Sequence, residues 1–357
     1  MKNTISSYQW LATLTAPVTS VLMTSYVMMT VRAAGRGAYI IAAIVGSTTF
    51  LLLAVVLLLT RKNAYAPVHA VAGSLFGSTA ARALCALSAL FFLFHSVEAL
   101  NLYVYIVKLF FLPKTPVPVL SALLFLPAAY MACCGFRTFT YMTTASLLAF
   151  IMFLLLFFMT KNNYLVSNLF PLNEFDPAEI LRAVPTLFLP APTIAASFFT
   201  LPLCGDHQGL FQKALFYSVL LTLMMEFIYA MGMMYFGEEI VAKMVLPFYN
   251  LNPFFKGNLL ERFDILFMLA LLPIISIMTA FGISLFSVIE EELHPQRNKR
   301  QNAVIPAAAA AVVLLTDLTL NRLPLWRCYL WSNAAALTLC ALLITVYAAA
   351  ARRTRKI

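Results

Sequence analysis

Charge is what this sequence has least of. Only 11% of its 357 residues are Asp, Glu, Lys or Arg, against 62% hydrophobic; a water-soluble domain carries about 25% charged residues. A chain this apolar cannot cover itself with polar surface, which excludes a soluble globular protein and leaves lipid as its solvent. The alternating pattern of a lipid-facing strand is missing too. Runs such as 38–59 and 303–315 show no period-2 alternation, so helices rather than a closed barrel must satisfy the backbone within the bilayer. There is no Cys-x-x-Cys pair and no His/Cys cluster at ligand spacing. The six cysteines, Cys85, Cys133, Cys134, Cys204, Cys328 and Cys340, lie in or beside apolar runs and read as packing residues, with neither a zinc site nor a disulfide framework. An HExxH motif, a phosphate loop and a Ser/His nucleophile pairing are also absent. The sequence therefore predicts no enzyme, no metal and no cofactor.

What is present is a series of ten apolar runs: 10–31, 38–60, 81–110, 116–134, 139–160, 184–204, 213–236, 259–288, 303–320 and 325–351. Each is long enough, at 1.5 Å per residue, to cross a hydrocarbon core of roughly 30 Å. No stretch between them is long enough for a soluble domain, so 1–357 reads as a single transmembrane domain. Lys2 before the first run resembles a signal-peptide start, but the run is longer than a signal core and lacks a clear cleavage site. Among the connections, Asp176-Pro177-Ala178-Glu179 carries a helix-start signature, 237–258 is semi-apolar and either interfacial or re-entrant, and 290–302 is charged and solvated. The net charge of +10 is topological rather than a nucleic-acid footprint: the basic residues sit in loops and in a C-terminal cluster of Arg352, Arg353, Arg355 and Lys356. With the N-terminus inside, about 13 Lys/Arg fall on the cytoplasmic side and about 11 outside, a small bias that places both termini in the cytoplasm.

Two of the runs are poor helices. The first contains Ala16-Pro17-Val18-Thr19-Ser20, where proline removes a backbone donor and crowds the preceding turn. The sixth contains Pro185, Pro190 and Pro192 around Leu189 and Thr193, which argues against a continuous helix. Backbone freed at membrane depth must face protein or a water-lined cavity. Breaks at corresponding positions of two halves point to a transporter of inverted repeats, with a substrate site at the exposed half-helix ends. The predicted fold is all-α, a 5+5 inverted repeat with helices 1 and 6 broken, the first repeat spanning about 5–160 and the second about 184–351. The alternative is two ordinary proline kinks, as in a membrane scaffold that binds no ligand.

Ionisable residues inside the apolar runs are few. His95, Glu98, Asn101 and Tyr105 share a stripe of the third run by their three- and four-residue spacing; burying His95 and Glu98 in lipid is costly, so they face the interior. They form either a ligand or proton site or a satisfied structural pair. Glu226 stands alone within the seventh run, with a partner on another helix or a bound proton. Asp317 reads as interfacial, one turn from Arg322. Glu261, Arg262 and Asp264 cap the eighth run, and Ser276 and Thr279 further along it belong to the same candidate pocket or to small-residue helix packing.

Several segments, taken in order, resemble a known family. They are Ile5-Ser6-Ser7-Tyr8-Gln9 before the first run, Ala34-Gly35-Arg36-Gly37-Ala38-Tyr39-Ile40 leading into the second, and Phe111-Leu112-Pro113-Lys114-Thr115-Pro116 before the fourth. Further along come Gly237-Glu238 through Pro247 and Glu261-Arg262-Phe263-Asp264-Ile265-Leu266-Phe267. The chain resembles the spore germination permeases, the B subunits of nutrient germinant receptors, within the amino acid–polyamine–organocation transporter superfamily. The resemblance implies the broken-helix fold, a spore inner-membrane location, a small nutrient ligand such as an amino acid, and A and C partner subunits. The pocket it implies uses Pro17, Thr19, Ser20, Leu189, Pro190 and Thr193, with His95, Glu98, Asn101, Tyr105, Ser276 and Thr279 around it; Glu98 and Glu226 would couple a proton if the chain transports. This sequence has Pro17 and no glycine in the first break, and Gly205-Asp206-His207 where relatives carry a Gly-Tyr-Glu-like stretch, so ligand identity does not carry over.

Overall fold

In a computed structural model, residues 4–158, 164–170, 175–244, 263–294, 299–320 and 325–353 are described. Among them the chain is helical, apart from one parallel bridge between Ile5 and Cys204 and the connecting turns. Helix α1 (Ser7–Thr24) opens on a capping box: the Ser6 hydroxyl accepts from the Gln9 N–H and the Gln9 side chain accepts from the Ser6 N–H, which satisfies two donors that a helix start leaves free. The order continues with α2 (Tyr26–Ala34), α3 (Ala38–Lys62), α4 (Val68–Phe76), α5 (Ser78–Phe110), α6 (Val117–Cys133), α7 (Phe136–Phe158), α8 (Pro177–Ala183) and α9 (Ala191–Thr200). Then come α10 (Leu210–Phe236), α11 (Glu238–Lys243), α12 (Phe263–Leu293), α13 (Lys299–Leu320) and α14 (Leu325–Arg353).

Five helical stretches are long and apolar enough to cross a membrane: Tyr26–Lys62, Ser78–Phe110, Leu210–Phe236, Leu272–Leu293 and Trp331–Arg353. Shorter apolar helices at Val117–Cys133, Ala191–Leu203 and Ile305–Asp317 accompany them. The chain is an integral membrane protein. Its helices expose large apolar side chains such as Leu51, Leu87, Leu126, Leu223 and Leu315, the surface expected where lipid replaces water.

The first predicted break is in a different place. α1 runs unbroken through Pro17, and the chain bends at Ser25 (φ −127°, ψ −10°), between α1 and α2. Thr13, Thr15 and Thr24 bond back to the Trp10, Leu11 and Val21 carbonyls of their own helix. The second break is real but earlier than predicted. Residues 184–190 are non-helical, Pro190 is the cap of α9, and Pro192 sits in its first turn, where no helical donor is needed. The Asp176 carboxylate caps α8 by accepting from the Ala178 N–H at 2.8 Å. The sequence reading missed α4.

The core is built on α5 against α12. Gly282 of α12 lies so close to α5 that an added methyl would meet the Phe92 carbonyl and the Ser96 hydroxyl. Phe92, Phe139, Phe199 and Phe281 surround this contact. α4 is held at one end of the bundle: Glu292 of α12 accepts from the His69 N–H, the Tyr347 hydroxyl donates to the Ala66 carbonyl at 2.9 Å, and Arg353 donates to the Ser74 carbonyl at 2.9 Å. Glu292 is thus a docking contact rather than part of a solvated loop. The turn before α4 holds Ala64 and Tyr65 at positive φ, and the Tyr65 ring stacks on His207 with centroids 3.7 Å apart.

Candidate functional site

The two irregular points of the bundle are joined through their neighbours. α1 packs on α9, α10 and α12. The Tyr217 hydroxyl of α10 donates to the Leu14 carbonyl of α1 at 3.1 Å, within one turn of Pro17, and lies beside the Thr193 hydroxyl of α9. Thr193 itself donates to the Pro190 carbonyl at 2.8 Å. Pro17 and Thr19 are buried here; Ser20 lies on the same helix, its side chain outside the described residues. At the second break the backbone turns tightly, with Leu189 N–H donating to the Leu187 carbonyl at 2.8 Å and Ala191 N–H to the Phe188 carbonyl at 3.2 Å. Leu187, Phe188 and Leu189 are all buried.

Helix α14 supplies donors on both sides of that break. The Asn333 amide donates to the Thr186 carbonyl at 2.7 Å and the Cys340 thiol to the Ala191 carbonyl at 3.4 Å. Both side chains are buried. The neighbouring Ser332 places its hydroxyl 3.2 Å from His95 Nδ1, and the same nitrogen lies 3.3 Å from Glu98 Oε2. Glu98 Oε1 is buried with no hydrogen-bond partner. His95 is enclosed by the rings of Phe91 and Phe281.

The structure therefore brings together His95 and Glu98 as the sequence suggests, and adds Ser332 and Asn333, which the sequence reading passed over. Their signal was a polar pair inside the apolar run of α14. Asn101 is buried on α5, but Tyr105 is 37% exposed and faces outward, which removes it from an interior stripe. Ser276 and Thr279 are buried and bond back to Leu272 and Ile275 of their own helix; Ser276 also lies beside the orphaned Tyr103 hydroxyl. Glu226 of α10 is half-buried, away from the His95 group and within electrostatic reach of Tyr26 and Tyr229. Tyr26, the residue just after the Ser25 bend, has a fully buried hydroxyl without a hydrogen-bond partner. Asp317 is fully buried within the protein and accepts from the Ser121 hydroxyl of α6 at 2.7 Å. Arg322, Glu261 and Arg262 lie outside the described residues, and so does the side chain of Asp264. Cys133 and Cys134 are exposed rather than packed, and Cys328 lies outside the described residues. Among the described residues no group of three His, Cys, Asp or Glu side chains is placed to hold a metal. An open cleft of about 510 Å³ at the start of α1, lined by Ser6, Gln9, Arg137, Tyr141 and Asp206, is a surface feature outside the breaks.

Two segments far apart in sequence meet at the opposite end of the bundle. The Arg36 guanidinium pairs with Glu238 at 3.0 Å and donates to the Phe170 carbonyl at 2.7 Å. The Tyr229 hydroxyl donates to the Arg36 carbonyl at 2.8 Å, and Arg32 donates to the Ala242 carbonyl at 2.6 Å. Gly35, at φ +51°, allows this approach, because a side chain there would press on the Glu238 carboxylate.

A helical bundle with apolar walls, an interrupted helix inside it and a buried polar group beside the interruption is that of a multi-spanning membrane protein. Residues 5–322 match the spore germination protein family, and the chain belongs to that family of spore permeases. The family is one of permeases and receptors, not of enzymes, and it gives the chain a role in sensing or transporting nutrients in germination. No individually curated protein matches the chain.

Proposed function

We propose that the chain is the B subunit of a nutrient germinant receptor of the spore inner membrane, binding a small nutrient, an amino acid by preference, in a pocket between helices and passing the signal to A and C partner subunits. The observation that carries this reading is the non-helical segment 184–190 inside the bundle, capped by α14 and packed next to α1. Interrupted helices expose main-chain donors and acceptors that hold the charged groups of a small zwitterion. In this reading α1–α2 and α8–α9 are the two broken helices of a ten-span 5+5 inverted repeat, the halves lie at about 5–160 and 184–351, and both termini are cytoplasmic. Ligand contacts come from the main chain around Ser25 and 184–190, with Pro190 and Thr193 fixing the latter, and from Tyr26 and Tyr217.

The test is thermal stability of the purified full chain against a panel of amino acids, nucleosides and sugars. A ligand that binds only the folded state raises stability by about 2.7 kcal/mol at a hundredfold excess over Kd. A selective shift that is reduced in Pro190→Ala, with normal protein levels, is the expected result. An equal shift in wild type and Pro190→Ala refutes the placement of the site, and no shift with any compound refutes ligand binding by this chain alone. A secondary transporter coupled to protons through Glu98 or Glu226 is the second reading, favoured by those two intramembrane carboxylates; uptake into proteoliposomes under an imposed pH gradient separates it from a sensor.

A further inference from the structure

The polar group on α5 and α14 is connected to the α8–α9 break in a way that neither motif nor family explains. Glu98 is 7% exposed and His95 4%, so the pair sits in an apolar interior where an uncompensated charge is costly. The pair is neutral overall when it holds one proton, whether as carboxylate with imidazolium or as carboxylic acid with imidazole. Losing that proton leaves a net negative charge whose one other polar contact among the described residues is the Ser332 hydroxyl. A carboxylate offers about four acceptor sites. Here Oε2 has one contact at 3.3 Å, long for a hydrogen bond, and Oε1 has none. The elements packed on α5 are α4, α6, α12, α13 and α14, and His69 of α4 lies at Glu292 by the end of α12. The charged groups described on them lie elsewhere: Asp317 bonds to Ser121, Glu290, Glu291 and Glu292 stand at the end of α12, and Arg352 and Arg353 end α14. Among the described residues no group of three His, Cys, Asp or Glu side chains is placed to hold a metal ion; the inference drawn is for a proton.

We propose that Glu98 and His95 form a proton-binding site coupled, through Ser332 and the adjacent Asn333 of α14, to the conformation of the α8–α9 break. When His95 Nδ1 carries the proton, it donates and Ser332 accepts. When the pair loses its proton, Nδ1–H still faces Glu98, and the net negative charge draws the Ser332 hydroxyl to donate toward the Glu98 carboxylate, shifting α14 with it. Asn333 is covalently next in the chain and holds the Thr186 carbonyl at 2.7 Å, so that movement is felt inside the break. The coupling itself stands on these contacts; its consequence for nutrient binding rests on the reading of the break as the ligand site.

Cys340 is a native reporter, because its thiol is buried against the Ala191 carbonyl on the far side of the same break. The experiment is alkylation of Cys340 by N-ethylmaleimide in the full chain in nanodiscs, resolved peptide by peptide by mass spectrometry, in wild type and Glu98→Gln. Taking the ratio of the two rates at each pH cancels the ionisation of the thiol itself. The expected result is a change in that ratio of about fivefold or more, the lower range of allosteric coupling, across a series of buffers from acid to alkaline pH. A smaller change overturns the proposal. A ratio that follows sodium or potassium concentration at fixed pH, rather than pH, overturns it in favour of an alkali cation. Should Glu98→Gln not fold, Ser332→Ala takes its place: it keeps the pair and cuts the link, and the same change in ratio is expected. Nutrient binding is scored separately by thermal shift on the wild type, so a pH step without any ligand, or a ligand with a flat ratio, tells the two readings apart.

Discussion

Replacing Gly282 by alanine tests whether the α5–α12 contact organises the bundle. The added methyl would lie 2.9 Å from the Phe92 carbonyl carbon, and nearer still to its oxygen and to the Ser96 hydroxyl. Carbon pairs rest at about 3.5–4.0 Å, so the helices must part by at least ~0.6 Å. The obstacle is backbone rather than the tip of a flexible side chain, so a rotamer change cannot relieve it. Overpacking of this kind costs about 1–3 kcal/mol, and the strain falls beside Phe281, which walls in His95. The expected outcome is a fall in apparent melting temperature on the order of 5 °C. Gly73→Ala is the matched control. It lies inside α4 with its nearest neighbour, Ala81 Cβ, 3.9 Å away, and a helical Gly-to-Ala change with room to spare gains up to about 1 kcal/mol. If Gly282→Ala melts with wild type, or both variants fall equally, the close approach of α5 and α12 is not what holds the core.

Three further outcomes follow from contacts elsewhere. Ser121→Ala removes the hydroxyl that donates to buried Asp317 and should cost about 1–3 kcal/mol, whereas Asp317→Asn keeps an acceptor and sheds the charge; thermal melts that rank Asp317→Asn as the worse of the two contradict this account. Glu292→Ala uncaps the start of α4, a loss of about 1 kcal/mol, read as faster amide exchange across 68–72 and little change in α5. The Arg36–Glu238 pair is 26% and 37% exposed, so Glu238→Gln should cost less than about 1 kcal/mol. Gly35→Ala combines a glycine-favoured backbone (φ +51°, ψ −132°) with a clash against that carboxylate and should cost about 1–3 kcal/mol for the backbone alone; equal melts for the two would show that the glycine is not needed.

Composition and run length determined the solvent, the helical class and the approximate spans of most long helices, because lipid leaves a backbone no partner but its own helix. The start of α8 was legible too, since an Asx cap followed by proline is local chemistry. Side-chain spacing placed His95 and Glu98 on one face for the same local reason. The bend in the first helix was not legible. Proline marks where a donor is lost, but whether a helix breaks there depends on what surrounds it; here α1 runs through Pro17 and the bend falls at Ser25. Nor could spacing reveal that Asp317 is buried against Ser121, that Tyr105 faces outward, or that Arg36 meets Glu238, because each depends on which helices become neighbours. Ser332 and Asn333 show the limit most plainly. In sequence they are two small polar residues in an apolar run, and only the packing of α14 between α5 and the α8–α9 break places one on a buried imidazole and the other on a carbonyl freed from its helix.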